Sequence, residues 1–216
     1  MDPKTVGIIG SGAWGSALAH ALSVAGNEVT LWGRNAETIN EINEIHENKF
    51  YLPKLKLDKN IRATTDLKSV CEKNVVIIAV PTQQIRTLGE EIRQYITHDT
   101  PIVCSAKGFE LGTGKLISEV LSETLINKNI AIISGPTFAS EVINNFPTAA
   151  TFAMKDRQLG RALARNFSSS NFRLYGSADI IGVQVGGAIK NIIAIACGIA
   201  SGQGFGGNTR AAIVTR

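Results

Sequence analysis

The chain has 216 residues, 44% of them hydrophobic, with 22 basic against 18 acidic side chains and a net charge of +4. That length and apolar content supply the core of one full globular domain and part of a second, with a soluble α/β protein as the default class. The basic excess is mild and scattered, which excludes a surface that tracks a nucleic-acid backbone and leaves room for a small anionic ligand.

The N-terminus, "MDPKTVGIIG", runs directly into a β-branched strand at Thr5–Ile9, with neither the charged leader nor the apolar core of a signal peptide. Next comes "GSGAWG", Gly10 to Gly15, opening the apolar-periodic helix "SALAHALSVAG". This is G-x-G-x-x-G in strand–turn–helix context. Gly10 permits the tight turn, Gly12 lets the backbone approach a pyrophosphate, and Gly15 allows close helix–strand packing, with helix N–H groups meeting the anion. The plainer reading is a glycine-rich turn that binds nothing.

The second strand, Glu28–Trp32, ends at Gly33-Arg34-Asn35, where an NAD-specific site usually places a ribose-binding carboxylate. Arg34 is instead a cation suited to a 2′-phosphate, so NADP(H) is favoured with NAD(H) left open. Further strands are expected at Val75–Val80, Pro101–Cys104 and Asn129–Ile133, separated by amphipathic helices. Almost wholly apolar strands in a βαβαβ rhythm predict a doubly wound, Rossmann-type parallel sheet. A short helix near Ala139–Ile143, a strand "PTAATFAM", a helix "DRQLGRALARNF" and a strand "NFRLYG" then predict extra edge strands, with antiparallel pairing open there.

From "SADIIGVQVGGAIKN" onward the pattern is helical, with Ser177 or Asp179 as cap and Asn208 placed to cap a further helix. The expected division is a dinucleotide-binding domain over 1–177 and the start of an all-helical domain over 178–216. The longest uncharged apolar run there, Ile192 to Ala200, is far short of the roughly 20 residues that span a bilayer, so no membrane insertion is expected. Cys71, Cys104 and Cys197 are odd in number, separated and without metal-ligand spacing, so they read as reduced small hydrophobes, no metal is expected, and a cytoplasmic location is expected.

Within that helical stretch Lys190 stands among small and apolar residues. It either snorkels to the surface or faces a polar ligand. Gly186 and Gly187 lie on its helical face and lack side chains, leaving room for a ligand against the backbone. Hydride arriving at a ketone leaves negative charge on oxygen, which a proton-donating cation stabilises. Lys107, projecting from a strand end ahead of Gly108, offers a second cation, or is an exposed loop lysine. "SGPTFA" offers the Thr137 hydroxyl and N–H groups at a helix start.

Taken in order, "GSGAWG", "LWGR", "NKFYLP", "SAKGFE", "SGPTFASE" and "GGAIKNIIAIACGI" resemble the bacterial-type NAD(P)-dependent glycerol-3-phosphate dehydrogenase family. The resemblance implies reversible hydride transfer between a nicotinamide cofactor and dihydroxyacetone phosphate, giving sn-glycerol 3-phosphate for phospholipid synthesis. It also implies cofactor contacts at Ala13, Trp14, Arg34, Lys107 and Ala139, and substrate contacts at Lys107, Gly135, Thr137 and Lys190, with Lys190 transferring the proton and Asn191 beside it. The family pattern continues beyond Arg216 with an aspartate and a phosphate-binding arginine, so the chain is expected to bind dinucleotide yet turn over poorly. The partner expected is a small phosphorylated substrate, and a homodimer is compatible with the reading. Two alternatives stand beside it: a related hydroxy-acid reductase on the same fold, and a non-catalytic NADP(H)-binding module.

Overall fold

The β-branched runs converge on one eight-stranded sheet in the computed structural model, which describes residues 4–125 and 129–215. Strands β1 (Thr5–Ile9), β2 (Glu28–Trp32), β3 (Arg62–Thr64), β4 (Val75–Ile78), β5 (Ile102–Cys104) and β6 (Ile130–Ser134) pair in parallel in the order β3-β2-β1-β4-β5-β6. From β1 the chain winds outward first on one side and then on the other. That reversal is where doubly wound sheets open a crevice beyond the carboxyl ends of their strands.

Side-chain alternation explains why the strands are apolar throughout. Ile8, Ile77 and Val103 join a core with Leu18 and Leu22 of helix α1 (Ala13–Val24); their neighbours Ile9, Ile78 and Cys104 join a core on the other face with Ile85 and Ile92 of α4 (Ile85–Ile92) and Leu121 of α5 (Ile117–Thr124). Burying each large aliphatic side chain contributes roughly 1.5–3 kcal/mol. Helix α2 (Ala36–Ile45) is capped by Asn35, whose side chain accepts from Glu37 N–H at 2.8 Å and Thr38 N–H at 3.2 Å. Burial pushes the Cys71 and Cys104 thiols up to about 12, in keeping with their reading as small hydrophobes.

The structure adds β3 and α3 (Leu67–Cys71), which the sequence reading did not include. Three and five residues are too few to display a period. Beyond α6 (Ala139–Ile143) the extra edge is β7 (Thr148–Met154) and β8 (Phe172–Ser177), with α7 (Arg157–Asn166) crossing between them. Strand β7 runs antiparallel to β6 and β8 runs parallel to β7, so direction reverses once.

Helix α8 (Ile180–Gly202) is capped by Asp179, whose Oδ1 accepts from Gly182 N–H at 2.7 Å; Ser177 supports the cap by accepting from Asp179 N–H at 3.0 Å. Asn208 does not cap the following helix: α9 (Gly207–Thr215) begins one residue earlier. The uncharged run in α8 is short, but the helix as a whole has 23 residues and a mean hydropathy of 1.7 across its most apolar window, long and apolar enough to cross a membrane by length and composition. Its beginning is nevertheless fastened to the sheet domain. Gln184, 5% exposed, accepts from Ser118 N–H and donates to Ser118 Oγ, each at 2.9 Å, at the start of α5. Ile192, Ile195 and Ile199 are exposed further along.

Candidate active site

The turn after β1 has the geometry of an anion cradle. Gly10 sits at φ +118°, and a Cβ there would lie 2.6 Å from the Ala79 carbonyl oxygen. A Cβ on Gly15 would lie 1.8 Å from the Gly10 carbonyl oxygen. One on Gly12 would meet nothing within 4 Å, so that backbone faces open space. Gly12 is also the N-cap of α1 and supplies no side-chain cap, leaving the first helical N–H groups directed outward.

A cleft of about 1270 Å³ extends from Gly12 and Trp14 past Arg34 to Ser105 and Ala106, at the end of β5. Its size, exposed glycine backbone and unpaired helix N-terminus fit a dinucleotide. Ala13 and Gly15 support the cradle without lining the cleft: Ala13 packs on the core, and Gly15 is buried. Arg34 is exposed at the cleft wall, with Glu37 and Glu41 on the same wall. The sequence reading considered only the strand-end position and did not weigh those two carboxylates. Glu41 is engaged by Lys49 at 3.3 Å.

A second group gathers beyond Ala106. Lys107 donates from Nζ to the Gly135 carbonyl at 2.9 Å, while Thr82 Oγ1 holds the Lys107 carbonyl at 2.9 Å. Burial first, and the Lys190 ammonium second, push the Lys107 pKa down. Gly187 explains how α8 comes so near: a Cβ there would lie 2.5 Å from Ser134 Oγ and 3.6 Å from Lys107 Cγ. Gly186 faces open space, so the two glycines differ in what they do. Lys190 and Asn191 are exposed on the next turn. Thr137 is half-buried, its N–H donating to the Gly135 carbonyl at 3.0 Å, and Ala139 packs against the core at the start of α6. The expected residues thus form a cofactor group and a lysine group: Gly10, Gly12, Trp14 and Arg34 line the main cleft, whereas Lys107, Gly135, Thr137, Ala139, Lys190 and Asn191 lie outside its wall.

A model of the NAD-dependent glycerol-3-phosphate dehydrogenase N-terminus matches residues 5–160, and one of the C-terminus matches residues 179–216. The chain belongs to the NAD-dependent glycerol-3-phosphate dehydrogenase family. It is 42% identical over 213 residues to glycerol-3-phosphate dehydrogenase [NAD(P)+] of Parvibaculum lavamentivorans, covering 99% of this chain and 64% of that one. With the Bacillus subtilis enzyme of that name it shares 43% identity over 217 residues, covering 99% of this chain and 63% of that one. The chain therefore spans just under two thirds of these relatives' length. The crystal structure of glycerol-3-phosphate dehydrogenase from Coxiella burnetii superposes with a TM-score of 0.88 at 34% identity, covering 99% of this chain and 66% of that one.

This dehydrogenase-family chain also carries supporting residues that the sequence reading did not find, because their partners are distant in sequence. Asn48 and Gln184 are two, both buried amides. Arg86 of α4 is a third. Its guanidinium grips Glu110 through two bonds of 2.8 and 2.9 Å and reaches Glu123 of α5 at 2.8 Å, while Glu123 also meets Lys115. Gln83 adds bonds to the Phe109 carbonyl and Leu111 N–H, each 2.9 Å. The segment after Lys107 is thereby strapped to α4.

The hydrogen bond from Arg86 holds the Glu110 carboxyl at about 2. A carboxyl pKa depressed on folding stabilises the fold above its unfolded value, and that contribution is lost as pH falls through the folded value. The strap is expected to hold at pH 4 in the native chain and to be weaker at that pH in Glu110→Gln. Hydrogen exchange across residues 108–116, corrected for intrinsic rates, reads this directly; equal protection in both proteins at pH 4 would rule the strap out.

Proposed function

We propose that this chain supplies the cofactor site and the proton donor for reversible hydride transfer between NAD(P)H and dihydroxyacetone phosphate, yielding sn-glycerol 3-phosphate for glycerophospholipid synthesis. The observation that supports it most is the gathering of Lys107, Gly135 and Gly187 of the Lys190 helix just beyond Ser105 and Ala106, the chain end of a cleft that begins at the glycine cradle. We assign dinucleotide binding to 1–177, and to 178–216 the helix that carries the proton donor.

Bound nicotinamide dinucleotide supplies the hydride. Gly10, Gly12 and Gly15 shape the cradle, and the first N–H groups of α1, from Ala13 and Trp14, meet the pyrophosphate. Lys190 gives its proton to the ketone oxygen as negative charge gathers there, and in the reverse direction takes it from the alcohol. Lys107, oriented by the Gly135 carbonyl, neutralises an oxygen of the substrate, with Thr137 and Asn191 as further polar contacts and Ala139 on the cofactor side. An anion beside Lys107 opposes the burial that lowers its pKa and so favours the charged form. Oxidation of NADPH on adding dihydroxyacetone phosphate tests the proposal. Equal rates with unphosphorylated dihydroxyacetone or with 2-oxo acids would replace it by another reductase.

Arg34 supports a preference for NADP(H), since it is an exposed cation on the cleft wall just beyond the end of β2, and the nearby Glu41 is engaged by Lys49. Removing a charge-assisted contact costs about 1.5–3 kcal/mol, roughly tenfold or more in affinity. Arg34→Ala is expected to weaken NADPH by that factor and NADH much less. Titrating both cofactors decides it, and an unchanged ratio of dissociation constants would remove the preference.

A further inference from the structure

The segment "NKFYLP" lies between α2 and β3 and overhangs the cleft with Lys49, Phe50 and Tyr51. It is a closed loop. His46 ends α2 in the left-handed region at φ 55°, Glu47 bridges to Lys56, and Leu57 N–H returns to the His46 carbonyl at 2.8 Å. At its base Asn48 is 0% exposed. A buried amide with unmet hydrogen bonds is costly, and Asn48 meets its own in one particular direction. Its Nδ2 donates to the Ser11 carbonyl at 2.8 Å and to Ser16 Oγ at 2.9 Å, and its Oδ1 accepts from Tyr51 N–H at 3.3 Å. The orientation is fixed chemically, because a carbonyl oxygen only accepts.

Ser11 is the residue between the first two glycines of the cradle. Its peptide bond to Gly12 is trans and planar, so the Ser11 C=O and the Gly12 N–H point in opposite directions. Asn48 draws the carbonyl inward, towards the loop base. The N–H is therefore turned outward, on the residue whose backbone faces open space.

We propose that Asn48 is a positioning residue for the dinucleotide: it holds the Ser11–Gly12 peptide with the Gly12 N–H presented to the cofactor's pyrophosphate. The inference rests on the dinucleotide reading of the cleft. It makes the loop base part of the cradle, and it gives one side chain control over both the phosphate contact and the wall formed by residues 49–51.

The test is NADPH affinity in Asn48→Leu, which fills the space without donating, and in Asn48→Ser, too short to reach the Ser11 carbonyl and the fallback should the leucine variant not fold. Titrations are run well below each protein's unfolding temperature, beside competition by adenosine 2′-monophosphate, which lacks a pyrophosphate. NADPH should bind at least tenfold more weakly to either folded variant, with adenosine 2′-monophosphate changed less than twofold. A purely structural role would lower the unfolding temperature and leave NADPH affinity intact, and that result overturns the proposal, as does equal weakening of both ligands. If adenosine 2′-monophosphate binds too weakly to read, NADPH affinity alone decides. Absence of NADPH and NADH binding to the native chain would instead overturn the dinucleotide reading and take this inference with it.

Discussion

Lys190→Met is expected to slow reduction of dihydroxyacetone phosphate by at least about a hundredfold, the scale of acid–base and electrostatic contributions, while NADPH affinity and the fold are retained. Methionine keeps the unbranched stem but has neither a proton to give nor a charge to set against the ketone oxygen. Lys190 is exposed, so its removal leaves no buried hole. The cradle is formed by the turn after β1, and no residue of α8 lines the cleft that it opens onto. Steady-state rates with saturating NADPH, measured in turnover-competent enzyme beside a cofactor titration, separate the two effects. Near-native turnover by the methionine variant would reduce Lys190 to a snorkelling surface residue.

Gly15→Ala and Gly12→Ala should fail in different ways, though both add one methyl group within three residues of each other. At Gly15 the new Cβ collides with backbone, 1.8 Å from the Gly10 carbonyl oxygen, and a buried backbone cannot swing aside as a flexible side chain can. Overpacking of that kind costs about 1–3 kcal/mol, occasionally more, and displacing Gly10 also deforms the cradle. Stability and NADPH binding should fall together. At Gly12 the Cβ has nothing within 4 Å, and its φ of −70° suits any L-residue. Stability should change by about 1 kcal/mol at most, the scale of a poorer N-cap, while NADPH affinity drops at least tenfold because the methyl occupies the space the pyrophosphate needs. Denaturant unfolding and fluorescence titration measure the pair. Unaltered affinity in Gly12→Ala would place the pyrophosphate elsewhere.

The difference between those two glycines also marks what the sequence could convey. The strand–turn–helix context of "GSGAWG" carried the local geometry, since each glycine's task depends on neighbours a few residues away. The strands β1 and β2 were legible end to end because each is a short run rich in β-formers that stops at a glycine, Gly10 or Gly33. Strand β3 was hidden: three residues, Arg62–Thr64, acquire their conformation from pairing with β2 and not from a pattern of their own. The same holds at the site. Lys190 declared itself as a charge in an apolar helix. Asn48, Gln184 and Arg86 did not, since an amide or guanidinium reads as ordinary loop or surface chemistry until the chain brings Ser11, Ser118 or Glu110 to it. Gly186 and Gly187 looked equivalent in sequence, and only the position of Ser134 separates them.

The bond from Gln184 to Ser118 makes α8 a lever with its pivot in the sheet domain. Six residues further on, at a rise of about 1.5 Å per residue, Lys190 rides roughly 9 Å from that pivot. A tilt of only about 6° then displaces the ammonium by about 1 Å, a misplacement that can cost a hundredfold in rate. The angular tolerance of the proposed proton donor is therefore set where α8 begins. With Gln184 pinned to Ser118 and Gly187, three residues on along the same face, seated against Ser134, the helix has two points of support before it reaches Lys190, so its first turns act as the bearing that fixes where that side chain starts.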